Sequence, residues 1–217
     1  MIQPLDEAGL KAALDRLAAL DPDIAAALPR IGYPAPRTRD PGFATLLRIV
    51  VAQQISTKAA AAIWARLEAA AAPALSAESL LILTDEQFRA VGFSARKVEY
   101  ARDLARAVAE GRLDLEALAM HEEEELVAKI AALRGFGRWS AEIYGLFALG
   151  RVDIFPADDL ALQVAAMRLK RLPARPPAKA LREVAEIWRP LRGAAAVFLW
   201  HYYGAATLDE AAAKVPQ

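Results

Sequence analysis

The chain has 217 residues and no cysteine. The absence of cysteine excludes disulfides, thiolate metal ligands, a cysteine nucleophile and a cysteine-bound iron–sulfur cluster. Histidine is also scarce. The only two, His121 and His201, lie far apart in the sequence, and this isolation favours a structural over a catalytic use. These absences argue against a secreted, disulfide-rich protein and against a transition-metal centre.

The chain also lacks net charge and long hydrophobic runs. It carries 27 basic and 27 acidic residues, so its overall charge does not favour nucleic acid as a partner. No segment is apolar over the length of a membrane span, and acidic residues interrupt the apolar ones at the N-terminus, which is unlike a signal peptide. We therefore expect a soluble cytoplasmic protein with no membrane partner.

Charge is unevenly distributed along the chain. Residues 168–192 contain eight basic residues and only two acidic ones, whereas residues 121–125 read HEEEE. Such asymmetry is typical either of an anion-binding face or of an ordinary solvated surface. On charge alone, the solvated surface is the favoured interpretation.

Helical periodicity dominates the rest of the sequence. Hydrophobic residues make up 56% of the chain, and alanine, a strong helix former, is abundant. Residues 5–20, 43–56, 94–111 and 177–204 place apolar residues at helical spacing, and no convincing alternating strand pattern is present. The pattern predicts an all-α fold of about ten helices. A proline-rich connector at 27–42 separates the first helix from a middle helical lobe.

Local signals mark several helix ends. Ser76 and Thr84 are N-cap candidates, each with a capping-box partner three residues later, Ser79 and Gln87. Gly92 is a candidate for a helix C-cap.

The segment LRGFGRW at 133–139 places two glycines around Phe136 between two predicted helices. Glycine tolerates positive φ and leaves no side chain between the backbone and a ligand. Amide groups at the start of the following helix carry partial positive charge and suit a phosphate. Taken alone, the segment is equally well explained as a simple connector between helices.

With four other segments, this hairpin resembles the helix–hairpin–helix (HhH-GPD) superfamily of DNA glycosylases. Within it, the resemblance is closest to the DNA-3-methyladenine glycosylase II group, in a short form without the N-terminal β-rich domain. The matching segments occur in the family's order and cover about residues 43–204: FATLLRIVVAQQIS, VGFSARKVEYARDLA, LRGFGRWSAEIYGLFALG, DIFPADDLALQ and AAAVFLWHYYG.

The resemblance implies a two-lobed helical fold with the active site in the cleft between the lobes. Residues 1–217 would form a single glycosylase unit. The middle lobe would span about 42–126, and the second lobe would combine about 127–217 with an N-terminal helix in 1–30.

By this resemblance, Asp159 is the catalytic carboxylate. Breaking an N-glycosidic bond develops positive charge on the sugar. A nearby carboxylate can either stabilise that charge or direct a water molecule at the anomeric carbon. Asp158 is interpreted as a helix N-cap or a supporting carboxylate. Without the resemblance, capping is the more common use of such an Asp pair.

The residue after GFGR is Trp139, where strand-cutting members of the superfamily carry the lysine that forms a Schiff base with the sugar. The resemblance therefore implies a monofunctional glycosylase without AP lyase activity. It would act in base excision repair on alkylated purines of the 3-methyladenine and 7-methylguanine class. Trp139 and Trp200 would form the base pocket, with Tyr144 beside them, because aromatic faces attract a cationic base. Trp64 and Trp188 are expected in the core.

The resemblance also assigns DNA contacts. Gln54, with Gln53 beside it, would fill the gap left by the flipped base. Gly135, Phe136, Gly137 and Arg138 would bind DNA through the hairpin. The backbone carbonyls of Ala131, Leu133 and Phe136 would bind a structural Na⁺ or K⁺, with no other cofactor required. The expected partner is double-stranded DNA containing alkylated bases, bound by a monomer that is associated with the nucleoid through DNA.

Three alternatives remain open from the sequence. One is a glycosylase for an oxidised or mismatched base, although a neutral lesion should need specific hydrogen-bond partners in the pocket. Another is a non-catalytic protein that binds damaged DNA. Asp159 argues against this alternative, because binding alone has no need of a carboxylate near phosphates. The third is a helical scaffold, which would not bind DNA at any salt concentration.

Overall fold

A computed structural model describes the backbone of residues 5–213 and the side chains up to residue 205. The described residues form helices and no strand, which confirms the predicted all-α class. The α-helices are α1 Glu7–Leu20, α2 Pro22–Ile31, α3 Phe43–Ala52, α4 Thr57–Ala70, α5 Ala77–Leu81, α6 Asp85–Val91, α7 Ala95–Ala109, α8 Glu123–Ala131, α9 Arg138–Phe147, α10 Leu160–Leu169, α11 Ala178–Ala185 and α12 Arg192–Ala213. Short 3₁₀ turns lie at Ala117–Met120 and Glu186–Trp188. Within this described range, no helix has both the length and the apolar character needed to cross a membrane.

The helices belong to two compact units. Unit 1 combines the residues up to 38 with those from 145 onwards, and unit 2 comprises residues 39–144. Unit 2 begins close to the expected position of 42, but it extends well past the expected end at about 126. The added part contains the glycine hairpin, which joins unit 2 because Gly135 lies against the ring of Tyr100 and accepts a hydrogen bond from Gln53.

The predicted helix ends in unit 2 are confirmed. The amide of Ser79 donates to the hydroxyl of Ser76, and the amide of Ser76 donates to the hydroxyl of Ser79. Thr84 and Gln87 form the same reciprocal pair. Gly92 ends α6 with a left-handed φ of 103°. Local sequence thus fixes where these short helices begin and end, before any packing is considered.

The predicted core tryptophans are buried. Trp64 lies on α4 in unit 2, and Trp188 lies in the turn before α12 in unit 1. The indole N–H of Trp188 donates to a carboxylate oxygen of Asp21 at 2.7 Å. A buried indole N–H normally needs such a partner, and here the partner is itself a charged group inside the core.

Asp21 is the centre of a buried charge cluster in unit 1. It is only 1% exposed, and both of its carboxylate oxygens lie 2.6 Å from the ammonium nitrogen of Lys170. The same ammonium donates to Asp23 at 3.0 Å. Asp21 also caps α2 by accepting from the amide of Asp23. The cluster therefore joins the α1–α2 turn to the C-terminal end of α10 and to Trp188.

The hydrogen bonds of this cluster control the charge state of Asp21. Burial alone raises the pKa of Asp21, but the hydrogen bonds from Lys170, Trp188 and the Asp23 amide outweigh burial, so the pKa is lowered from its ordinary value of 3.8. Since the folded-state pKa is below the unfolded one, the cluster contributes stability above pH 3.8. That contribution is lost as the pH falls through the lowered folded-state value.

We predict that Lys170→Met lowers the free energy of unfolding by about 3–5 kcal/mol at neutral pH, because it leaves a buried carboxylate without its cation. The difference from wild type should shrink as the pH falls from 3.8 through the lowered folded-state pKa of Asp21, because a protonated Asp21 no longer needs a cation. Urea denaturation at neutral pH and at acidic pH measures the stability loss and its dependence on pH. Lys179→Met removes an exposed ammonium and is the matched control. An equal loss in the two lysine variants would contradict the role of the cluster.

Candidate functional site

Asp159 stands immediately before α10 and is held by two hydrogen bonds. Its Oδ1 accepts from the backbone amide of Leu162 at 3.1 Å, which makes Asp159 the N-cap of α10. The same oxygen accepts from the indole N–H of Trp200 on α12 at 3.1 Å. The side chain is half-buried. Donors from two helices therefore fix this carboxylate in one position while part of it still faces solvent.

The adjacent Asp158 does not cap α10, although capping was one of its two expected roles. The prediction that Asp158 caps the helix is wrong, because the capping oxygen belongs to Asp159. Asp158 is exposed instead, and its carboxylate pairs with the guanidinium of Arg182 on α11 at 2.7 Å. The reason is geometric: Asp159 has the extended backbone of an N-cap residue, and its side chain alone reaches the third amide of the helix.

Trp200 lies among charged and aromatic neighbours in unit 1. Its ring centroid is 5.5 Å from that of Phe147, with the two planes tilted by 37°. The guanidinium of Arg37 lies over the Trp200 ring, 5.8 Å from the centroid. Neither Phe147 nor Arg37 was predicted from the sequence. The structure thus places an aromatic face, a carboxylate and a guanidinium together, all within unit 1.

The glycine hairpin of unit 2 joins α8 to α9. Gly135 has a left-handed φ of 81°, and a Cβ at this position would lie 2.2 Å from the Tyr100 ring. Phe136 is buried, and its amide donates to the carbonyl of Leu133 at 3.2 Å. Gly137 differs, because nothing lies within 4 Å of a Cβ built there. The fold therefore requires glycine at position 135 but not at position 137.

Four of the predicted site residues lie around one cavity in unit 2. The cavity has a volume of about 610 Å³. Its walls include Gln53, Gln54, Gly135 and Trp139, together with the basic residues Arg96 and Lys97. Arg96 and Lys97 belong to the first turn of α7, and their place in the wall of this cavity was not predicted from the sequence.

The turn that carries Gln53 and Gln54 follows a helix shorter than predicted, since α3 ends at Ala52 rather than at residue 56. The side-chain amide of Gln53 donates to the carbonyl of Gly135 at 2.8 Å, which ties this turn to the hairpin. Lys97 donates to the carbonyl of Val51 at 2.7 Å, and desolvation lowers the pKa of Lys97. Gln54 is exposed and has a φ of 58°. Gln53 therefore positions the turn, and Gln54 is its outward residue.

Two other predicted site residues are engaged within unit 2. Arg138 forms a two-pronged ion pair with Glu124, at 3.0 and 2.5 Å, and these hydrogen bonds raise the pKa of Arg138. Tyr144 is fully buried, and its hydroxyl accepts a hydrogen bond from the amide of Gly42 at 2.9 Å. A side chain buried in this way presents no ring face to a base, so the proposed pocket does not include Tyr144.

The hairpin carbonyls predicted to bind an alkali cation are neutral oxygen donors, which suit Na⁺ or K⁺ better than a transition metal. The carbonyl of Leu133 closes the hairpin by accepting from Phe136, and a carbonyl oxygen has a second lone pair for a cation. Across the described residues, no group of three or more His, Asp or Glu side chains is placed to hold a metal ion.

Acidic residues of unit 1 form ion pairs with much of the basic stretch at 168–192. The ion pairs that involve this stretch are Lys170 with Asp21 and Asp23, Arg171 with Asp23, Arg182 with Asp158, and Arg189 and Arg192 with Asp153 and Glu186. This pairing favours an ion-paired surface over an anion-binding face.

Comparison with known proteins places these features in a family context. Residues 47–190 match the family described as HhH-GPD superfamily base excision DNA repair protein. DNA-3-methyladenine glycosylase 1 of Schizosaccharomyces pombe is 35% identical over 161 residues, which cover 73% of this chain and 71% of that protein.

Solved structures show the same relationship in three dimensions. The 3-methyladenine DNA glycosylase of S. pombe in complex with abasic DNA matches with a TM-score of 0.79 and 30% identity, over 90% of this chain and 97% of that one. The DNA-3-methyladenine glycosidase of Bacillus halodurans matches with a TM-score of 0.78 and 32% identity, over 95% and 94% of the two chains. The family match covers well over half of the sequence, so this chain belongs to the HhH-GPD superfamily of base excision DNA repair proteins.

Proposed function

We propose that this protein is a monofunctional DNA glycosylase that removes alkylated purines from double-stranded DNA and leaves an abasic site. The observation that carries the proposal is the carboxylate of Asp159, fixed by Trp200 and by the first turn of α10. The relatives add support, because the S. pombe protein is named a DNA-3-methyladenine glycosylase and a structural neighbour is bound to abasic DNA.

The proposed reaction depends on positive charge, first on the alkylated purine and then on the sugar. Alkylation at N3 or N7 makes a purine cationic and weakens its bond to the sugar. The ring of Trp200 offers an aromatic face to such a cation, worth about 0.5–2 kcal/mol. As the bond breaks, positive charge develops on the sugar. Asp159 then stabilises that charge or directs a water molecule at the anomeric carbon, from a position that its two hydrogen bonds have already fixed.

Water is the proposed nucleophile because position 139 is tryptophan, which has no amine to form a Schiff base with the sugar. The strand should therefore stay intact after base removal. Trp139 lines the cavity of unit 2 beside Gln54. We propose that the exposed Gln54 enters the DNA stack when the damaged nucleotide leaves it, while Gln53 holds the turn against the hairpin.

The hairpin is the proposed phosphate-binding element. The first amides of α9 lack partners within the helix and carry partial positive charge. Gly137 leaves open space next to them, so a phosphate can approach the backbone closely. The carbonyls of Ala131, Leu133 and Phe136 would hold Na⁺ or K⁺ at the same hairpin. We further propose that the protein acts as a monomer in the cytoplasm.

We predict that Asp159→Asn slows the release of 3-methyladenine and 7-methylguanine from methylated duplex DNA by roughly 10²–10⁴-fold, because the amide carries no charge to stabilise the sugar cation. Chromatography of the released bases, gel analysis of strand integrity and a binding titration are the measurements. Duplex binding should be retained, and the strand should remain uncut until alkali is added.

Asp158→Asn is the matched control, because it neutralises the neighbouring carboxylate that pairs with Arg182. Its rate should stay close to that of wild type. Wild-type protein that binds duplex DNA but releases no alkylated base would point to another lesion or to a non-catalytic DNA-binding protein. Absence of DNA binding at every salt concentration would favour a helical scaffold.

The two hairpin glycines should respond differently to alanine. We predict that Gly135→Ala lowers the free energy of unfolding by about 2 kcal/mol or more, because of its positive φ and the clash with Tyr100. Gly137→Ala should fold normally and lose roughly tenfold or more in duplex affinity, through weaker hydrogen bonds to phosphate. Thermal melting and binding titrations measure the two effects. Unchanged DNA affinity in a folded Gly137→Ala would contradict the proposed phosphate site.

A further inference from the structure

The predicted connector at 27–42 begins inside α2, and the part that follows α2 lies against α12 beside Trp200. At its start, the carbonyl of Ile31 is 2.9 Å from the Nε2 of His201, the residue next to Trp200. Six residues later, the guanidinium of Arg37 lies over the ring of Trp200. Two separate contacts thus hold the connector against the part of α12 that carries the indole.

Arg37 brings a positive charge to the carboxylate site. Its side chain is exposed overall, yet desolvation by its surroundings lowers the pKa of Arg37, and attraction by the Asp159 carboxylate opposes that shift. A guanidinium stays protonated at neutral pH in either case. The Asp159–Trp200 pair therefore has a permanent cation beside it within unit 1.

The guanidinium of Arg37 and a cationic base would bind to the same two groups of this site. Each is stabilised by the aromatic face of Trp200 and by the negative charge of Asp159. A cationic base must therefore displace Arg37 or accept repulsion from it. A neutral purine avoids that repulsion, and its N3, N7 or O6 atoms can accept hydrogen bonds from a guanidinium.

We propose that Arg37 is a specificity-determining residue, whose positive charge beside Trp200 and Asp159 lowers the excision of cationic bases relative to neutral ones. This inference rests on the proposed glycosylase function.

The test compares single-turnover excision of a cationic base, 7-methylguanine, with excision of a neutral one, hypoxanthine or ethenoadenine, in the same duplex sequence. Arg37→Gln should raise the ratio of cationic to neutral excision roughly 3- to 10-fold, since it removes one charge near the base. Arg37→Lys keeps the charge and should keep the wild-type ratio. The change caused by Arg37→Gln should shrink as salt is added, because the guanidinium is exposed.

Arg39→Gln is the matched control, because it neutralises another exposed arginine of the same connector and should leave the ratio unchanged. Melting temperatures establish that each variant is folded, and a variant that merely loses structure lowers both rates without moving their ratio. An unchanged or lowered ratio in Arg37→Gln would overturn the role of Arg37. So would a wild type that excises 7-methylguanine but neither neutral lesion. A wild type that excises no modified purine would instead reject the proposed function itself.

Discussion

The hydrogen bond from the indole of Trp200 to Asp159 is the contact on which the proposed chemistry depends. It joins the middle of α12 to the N-cap of α10 and gives one carboxylate oxygen a second donor besides the backbone. A hydrogen bond to a charged group contributes about 1.5–3 kcal/mol when it is well formed. In the proposed mechanism the same indole also offers its ring to the base, so one side chain would both orient the carboxylate and line the binding face.

The helix that Asp159 begins is held at both of its ends. At the N-terminal end, Trp200 binds the capping carboxylate, and just past the C-terminal end, Lys170 binds the buried Asp21. The start of α12 is also closely packed, since a Cβ on Gly193 would lie 2.6 Å from the carbonyl of Val152. The core interactions of unit 1 therefore stabilise the same helices that hold Asp159 and Trp200, and the proposed catalytic carboxylate can stay in place without being fully buried.

Features set by local sequence could be predicted, and those set by distant contacts could not. The capping boxes at Ser76 and Thr84 depend on residues three positions apart, so the pattern itself specifies them. The roles of the hairpin glycines and of Asp159 were predicted through the resemblance to the HhH-GPD family, whereas the choice of Asp159 over Asp158 as the cap depended on backbone geometry. Nothing local to Gln53 or Arg37 indicates its partner, because Gly135 and Trp200 are remote in sequence and meet them only in the folded units.

The most direct test of the central claim is the excision rate of Trp200→Phe on methylated duplex DNA. Phenylalanine keeps an aromatic face for the base but cannot donate to Asp159. The account predicts a rate roughly 10- to 100-fold below wild type with unchanged duplex affinity, and a further loss in Trp200→Leu, which also removes the aromatic face. A Trp200→Phe protein as fast as wild type would show that the indole hydrogen bond does not position the catalytic carboxylate.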